Sequence, residues 1–310
     1  MPETGVHARV DPVHLRQRLA IEAEGEAPVF GRGRTRFHPE NSLSLHQLLR
    51  RTLTLTGLYQ RGQRNALDIR VHRREVALTA LPPALDGFRV LQLSDLHLDS
   101  HADFPDTLAE RVRALEYDVC VLTGDYRFRT CGSFAPAIEG LARVREALRG
   151  SVYAILGNHD SIRMVPEIEA MDIRLLLNEA DGIERAGSRL HIAGVDDPHF
   201  FRGDNLEKAC ADLPPDAPSI LLSHSPEIFR QAAACGFDLM LCGHTHGGQI
   251  RLPGGIPLIT NVDCPRRFAA GSWQFGDMCG YTSVGAGSSI VDVRFNCPPE
   301  VVIHTLRRAC

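Results

Sequence analysis

The chain has 310 residues, 44% of them hydrophobic, and 34 Lys and Arg stand against 38 Asp and Glu for a formal net charge of -4. That length supports one large α/β core plus an extension. The apolar content excludes disorder throughout, and the mildly acidic balance excludes an overall basic field that would demand nucleic acid or a membrane as partner.

Residues 1 to 40 are polar and mixed, and read as a flexible or loosely packed arm. From Ser42 to Tyr59 the pattern SLSLHQLLRRTLTLTGLY places Leu45, Leu48, Leu49 and Leu53 on one helix face beside Arg50 and Arg51. Such a face can dock on the core, on a second subunit or, peripherally, on a lipid surface. The expected division is an N-terminal extension over 1–60 and a catalytic domain over 61–310. No signal-peptide pattern opens the sequence and no apolar run reaches membrane-spanning length. The nine cysteines are odd in number and form no CxxC pair. They fit tolerated thiols in a reducing compartment better than a disulfide framework or a thiolate metal site. A cytoplasmic chain is expected, with peripheral contact at the inner membrane open to it.

Near Asn65 the chain changes character. ALDIRVHRREVAL alternates and reads as a strand, in the manner of a hairpin arm. From Phe88 an apolar strand, a polar turn and a helix recur. Strands are expected at 89–94, 118–124, 152–157, 190–195, 219–224 and 238–243, with helices at 106–116, 134–149 and 226–234. That alternation defines a layered α/β fold. After His246 helical patterning stops, and Gly- and Pro-punctuated segments predict a second, mostly antiparallel sheet.

The apolar strands end in polar clusters: Ser94-Asp95-Leu96-His97, Gly124-Asp125, Gly157-Asn158-His159-Asp160, His224, and Gly243-His244-Thr245-His246-Gly247-Gly248. One such Asp or His is ordinary turn chemistry; five clusters at strand ends are not a coincidence of caps. Carboxylate, imidazole and amide oxygen suit divalent Mn, Fe or Zn, and the absence of thiolate argues against structural zinc. Asp95, His97, Asp125, Asn158, His224, His244 and His246 are too many ligands for one ion. They fit two ions about 3.5–4 Å apart, a clamp for a phosphoryl group, with Asp125 as the natural bridge.

The ordered set SDLH, GD, GNHD, a lone His and GHTHGG resembles the calcineurin-like metallophosphoesterase superfamily over residues 88 to 250. The GDY form and the closing RFNCPPE are similar to the bacterial YkuE/YaeI-type phosphodiesterase group, some relatives of which hydrolyse UDP-2,3-diacylglucosamine. The resemblance implies a four-layer α-β-β-α sandwich with two facing mixed β-sheets. It implies one metal site of Asp95, His97, Asp125 and His246, and another of Asp125, Asn158, His224 and His244. It also implies that His159 contacts the phosphate and protonates the leaving group, oriented by Asp160. The sequence departs from the group in showing only Leu- and Arg-rich helix signals where its members often carry an N-terminal transmembrane anchor, and in its NVDCPRRFAAGSW stretch.

The expected chemistry is hydrolysis of a phosphodiester or pyrophosphate bond in a small or lipid-linked substrate by a metal-activated hydroxide. The alternatives are a UDP-2,3-diacylglucosamine pyrophosphatase, a phosphomonoesterase and, remotely, a non-catalytic metal-binding module. Asp197 and His199, after a strand, are candidate substrate contacts, with a turn and helix-cap role as the alternative, and Arg127, after Asp125, is a candidate contact for a second phosphate or, alternatively, for a solvent-facing acid. No nucleic-acid partner is expected, since no basic or aromatic strip is present.

Overall fold

The computed structural model describes residues 9–26, 43–214, 217–257 and 260–309. The rest of the arm expected over 1–40, apart from 9–26, lies outside these residues, as does the side chain of Leu45.

Before the core, the described residues include the helices α1 (Pro12–Glu26), α2 (Leu43–Leu55) and α3 (Tyr59–Leu67). The first sheet is built from β1 (Arg70–Leu78), β2 (Arg89–Leu93), β3 (Val119–Leu122), β4 (Val152–Ala154) and β5 (Arg174–Leu175). Between them lie α4 (Phe104–Arg113), α5 (Ala135–Ala147) and α6 (Val165–Glu169). The second sheet takes β6 (Glu179–Arg185), β7 (Ser188–Gly194), β8 (Ser219–Leu222) and β9 (Leu239–Cys242), with α7 (Leu206–Cys210) and α8 (Phe229–Ala234) between strands. The hairpin β10 (Gly271–Phe275) and β11 (Met278–Thr282) completes it, and β12 (Glu300–Arg308) closes the chain.

The strand orders are β1-β12-β2-β3-β4-β5 and β10-β11-β9-β8-β7-β6. Both sheets are mixed: β2, β3, β4 and β5 run parallel, while β12 lies antiparallel to β2. β3, β8 and β9 are buried at every position, as expected of strands covered on both faces. Alternation along each strand assigns the two faces. Val119 and Val121 face the second sheet, where they share a core with Ile192, Ile220, Leu222 and Leu239. Cys120 and Leu122 share the outer core with Leu108 and Val112 of α4 and Leu141 and Val144 of α5. On the far side Leu221 and Met240 pack with Phe229 and Ala232 of α8. The result is the expected α-β-β-α sandwich.

Three expectations need correction. The second sheet is not a product of the late, helix-poor region: its centre is β7, β8 and β9, drawn from the α/β repeat itself. Only the β10–β11 hairpin joins it from beyond His246, and β12 returns to the first sheet. Apolar alternation shows that a segment is a strand and is silent about its partner. Likewise β1 is not a hairpin arm but pairs in parallel with β12, Arg70 opposite Glu300. Finally, Pro12–Glu26 is no loose arm, since Leu15 and Arg18 are buried against the domain.

Among the described residues no helix is long and apolar enough to cross a membrane. On α2, Leu48 and Leu55 are exposed. Every described cysteine is a free thiol.

Candidate metal centre

The carboxyl ends of β2, β3 and β4 in one sheet meet those of β8 and β9 in the other, where open α/β sheets place their ligands. Each strand stops and the chain turns sharply. Asp95, His97, Asp125, His244 and His246 all take the left-handed conformation, with φ of 51°, 43°, 61°, 73° and 49°. That region is uncommon for residues other than glycine, although Asp and His tolerate it better than most. Such strain concentrates at functional sites, and here it folds the side chains back toward one point. The intervening glycines allow the loops to close. A Cβ on Gly157 would stand 2.2 Å from Asp125 Oδ1, and one on Gly243 would stand 1.8 Å from Ser94 Oγ.

Asp95–His97–His246, His97–Asp125–His159 and Asp95–Asp125–His224 each present three ligand atoms within 4.8 Å of one another, and all are buried. The groups overlap at Asp95, His97 and Asp125. Asp125 Oδ2 lies 3.3 Å from His224 Nε2 and 3.8 Å from Nε2 of both His97 and His159. Asn158 Oδ1 sits 3.0 Å from His224 Nε2 and 2.8 Å from His244 Nδ1, which ties His244 to the cluster.

The far nitrogens of the rings show what the near ones offer. His97 Nδ1 donates to the Arg127 carbonyl and His224 Nδ1 to the Thr123 carbonyl, both at 2.8 Å. His244 Nε2 donates to the Asn261 carbonyl at 2.8 Å. A carbonyl only accepts, so each ring holds a proton there, and in its neutral form the ring turns a bare nitrogen inward. This outer partner is what fixes metal-ligating histidines. His246 is different: Arg294 Nη2 approaches its Nδ1 at 3.3 Å, and its Nε2 lies 3.1 Å from His97 Nε2.

The electrostatics call for cations. Burial drives His97 down to about 3, with His159 adding to the effect. Burial also pushes Asp95 up to about 6, His224 opposing and Asp125 assisting. His224 is disfavoured as a cation by burial, yet the charge and hydrogen bond of Asp125 lift it to about 10. Asp125, raised by burial, is pulled well below the carboxylate range by His224 and His159. Converging carboxylate oxygens, an amide oxygen and bare ring nitrogens are the donor set for borderline divalent ions. The residues present therefore fit a dinuclear centre.

The remaining sequence candidates separate. The Asp160 carboxylate accepts the amides of Asp125, Tyr126 and Gly157 at 2.7, 2.8 and 2.9 Å. The carbonyl of Phe128 holds His159 Nδ1 at 2.6 Å. Arg127 is buried, and its guanidinium donates to the carbonyls of His159, Gly132 and Thr130, so it fastens a loop rather than facing a substrate. Asp197 takes the turn role, accepting the amides of His199, Phe200 and Phe201. His199 does lie at the site: its ring is 4.1 Å from that of His244, and Glu227 binds its Nδ1 at 2.8 Å. Ser94 donates to Asp95 Oδ2 at 2.5 Å.

Sequence reasoning missed Arg294. Fully buried, it donates to the carbonyls of Val284, Gly285, Gly287 and Cys297. Those glycines lie under Asp95, and the Gly287 amide donates to the Asp95 carbonyl at 2.8 Å. Its only signal was membership of the RFNCPPE stretch.

Sandwich and donor set together define a metal-dependent hydrolase of the metallophosphoesterase class. The family model for calcineurin-like phosphoesterases matches residues 88–248, and the chain belongs to that family. The chain is 29% identical to uncharacterized metallophosphoesterase YkoQ of Bacillus subtilis, over 79% of this chain and 93% of the relative. It is 32% identical to Phosphodiesterase YaeI of Escherichia coli, over 71% and 82%. Uncharacterized metallophosphoesterase YkuE of Bacillus subtilis is 30% identical over 73% and 82%. These relatives are about equally distant from the chain.

Proposed function

We propose that the chain cleaves a phosphodiester or pyrophosphate bond in a small or lipid-linked substrate, with two divalent ions held around Asp125. The observation that carries this reading is the Asp125 carboxylate facing three imidazoles at the junction of overlapping ligand groups. In it Asp95, His97, Asp125 and His246 hold one ion, and Asp125, Asn158, His224 and His244 hold the other. When bound there, such ions would supply Lewis-acid polarisation of phosphoryl oxygens and of an attacking water near neutral pH.

The chain's own residues do the rest. His159 has Nδ1–H fixed on the Phe128 carbonyl and Nε2 on the side of Asp125. It gives the Nε2 proton to the departing oxygen as the P–O bond breaks, which leaves a neutral ring still anchored through Nδ1. Among the substrate-contact candidates, His199 is the one placed beside the ligands, half-exposed and steadied by Glu227.

A diester is favoured by the relative named as a phosphodiesterase. A lipid-linked substrate is favoured by Leu48 and Leu55, exposed on a helix that also carries Arg50 and Arg51. The test is a screen of the purified chain with Mn²⁺ against bis(p-nitrophenyl) phosphate, monoesters, cyclic nucleotides and UDP-diacylglucosamine. Chelator-sensitive turnover of the diester or the pyrophosphate supports the reading. Turnover of monoesters alone contradicts the bond type, and no turnover with metal bound points to a non-catalytic module.

A further inference from the structure

We propose that the helix Pro12–Glu26 is a positioning element for the reaction, with Arg18 and Glu22 holding the Asp160–Ile162 backbone and so setting the loop that carries Asn158 and His159. The inference rests on the phosphoesterase reading above.

Arg18 is 1% exposed, although it is a charged residue on a helix outside the family core. Each of its nitrogens has a partner. Nε donates to Glu22 at 3.1 Å, Nη1 to Asp196 Oδ1 at 2.9 Å and Nη2 to the carbonyl of Asp160 at 2.7 Å. Its plane lies over the Phe201 ring, 3.3 Å from the centroid. Glu22 continues along the same loop: it accepts the Ser161 hydroxyl at 2.6 Å and the Ile162 amide at 2.8 Å. Residues 160, 161 and 162 are thus each tied to the helix by a buried polar contact.

The same loop is held from inside by the metal centre. The Asp160 carboxylate accepts the amides of Asp125 and Gly157, while Asp125 Oδ1 accepts the His159 amide at 2.9 Å. The Asp160 residue is therefore fixed at its side chain by the site and at its carbonyl by Arg18. His14 completes the arrangement by binding the second oxygen of Asp196 at 2.8 Å. A helix needed only for burial could cover this surface with apolar residues, since a buried charge costs stability unless fully paired. A planar guanidinium with three fixed directions gives orientation that a greasy contact does not. Small displacements of a catalytic group lower the rate steeply.

The test uses the full chain carrying Glu22→Gln or Arg18→Met, with Arg9→Ala as the control. Arg9 also anchors the N-terminal segment, but to Glu169 and Glu179, away from the loop. Turnover of bis(p-nitrophenyl) phosphate in saturating Mn²⁺ is measured with metal content, thermal midpoint and amide hydrogen exchange of the metal-free chain. The expected result for Glu22→Gln, the milder change, is a kcat lower by about tenfold or more with KM and metal content held. Exchange should quicken at 157–162 and stay unaltered at 89–94. Arg18→Met should do the same more strongly, and Arg9→Ala should lower the thermal midpoint without changing kcat. Wild-type kcat in a folded Glu22→Gln variant overturns the inference, whatever the exchange shows. Inactive wild-type chain with metal bound overturns the phosphoesterase reading instead, and the inference with it.

Discussion

The Asp125 carboxylate lies 3.3 Å from His224 Nε2, with both side chains almost wholly shut off from solvent. Asp125 also faces His97 and His159, so its charge is the common partner of the centre. Asp125→Asn keeps the shape and removes the charge. It is expected to lower activity by more than roughly 100-fold, beyond what loss of an outer partner costs, and to lower bound metal measured by elemental analysis.

His159 stands among the groups able to hold an ion, with His97 and Asp125, yet its proposed task is proton delivery. His159→Ala should cut kcat by about 10²–10⁴-fold, the usual range for a general acid, with metal content unchanged. Loss of metal in this variant would make it a ligand.

Gly157 has Asp125 Oδ1 and the Asp125 amide at 2.2 and 2.6 Å from where a Cβ would stand. Gly157→Ala must move the Asp125 carboxylate or its own loop. A shift near 1 Å costs about 100-fold in rate, so steady-state kinetics should show a loss of that order even where circular dichroism reports a folded chain.

Arg294→Met would strip a donor from the carbonyls of Val284, Gly285, Gly287 and Cys297, three of them in buried residues, and remove the guanidinium beside His246 Nδ1. Urea unfolding should show destabilisation of about 2–4 kcal/mol, the scale of unsatisfied buried acceptors. Activity should fall in the fraction that stays folded, because the glycines under Asp95 lose their anchor.

Asp196 supplies a pH test of the N-terminal contact. Burial pushes its carboxyl up, but the Arg18 charge and the His14 hydrogen bond outweigh this and hold it below its ordinary value of 3.8. A depressed carboxylate contributes stability that is fully present above the unfolded pKa and is lost as pH falls through the folded one. The stability gap between wild type and Asp196→Asn should therefore be widest at neutral pH and close as pH falls below 3.8.

The candidate centre was legible because its Asp, His and Asn clusters sit where apolar runs stop, at Leu93, Leu122, Cys242 and their neighbours, and their order is a motif. The layered α/β class followed from the same alternation of strand and helix. Strand partners were not legible: β12 and β1 pair across more than two hundred residues, and nothing local in either segment encodes that meeting. Arg18 and Glu22 look like ordinary helix-surface charges in sequence, since their burial depends on Asp196 and Ser161 arriving from elsewhere. The family pattern sets Asp160 beside His159 in the chain, and its carboxylate also accepts the amides of Asp125 and Tyr126, which arrive from another loop that nothing local in the sequence pairs with it.

The most direct test of the central claim is anomalous diffraction from crystals of the chain grown with Mn²⁺. The account predicts two peaks about 3.5–4 Å apart, with Asp125 between them and Asn158, His224 and His244 around one of the two. A single peak, or two peaks that do not share Asp125, would contradict it.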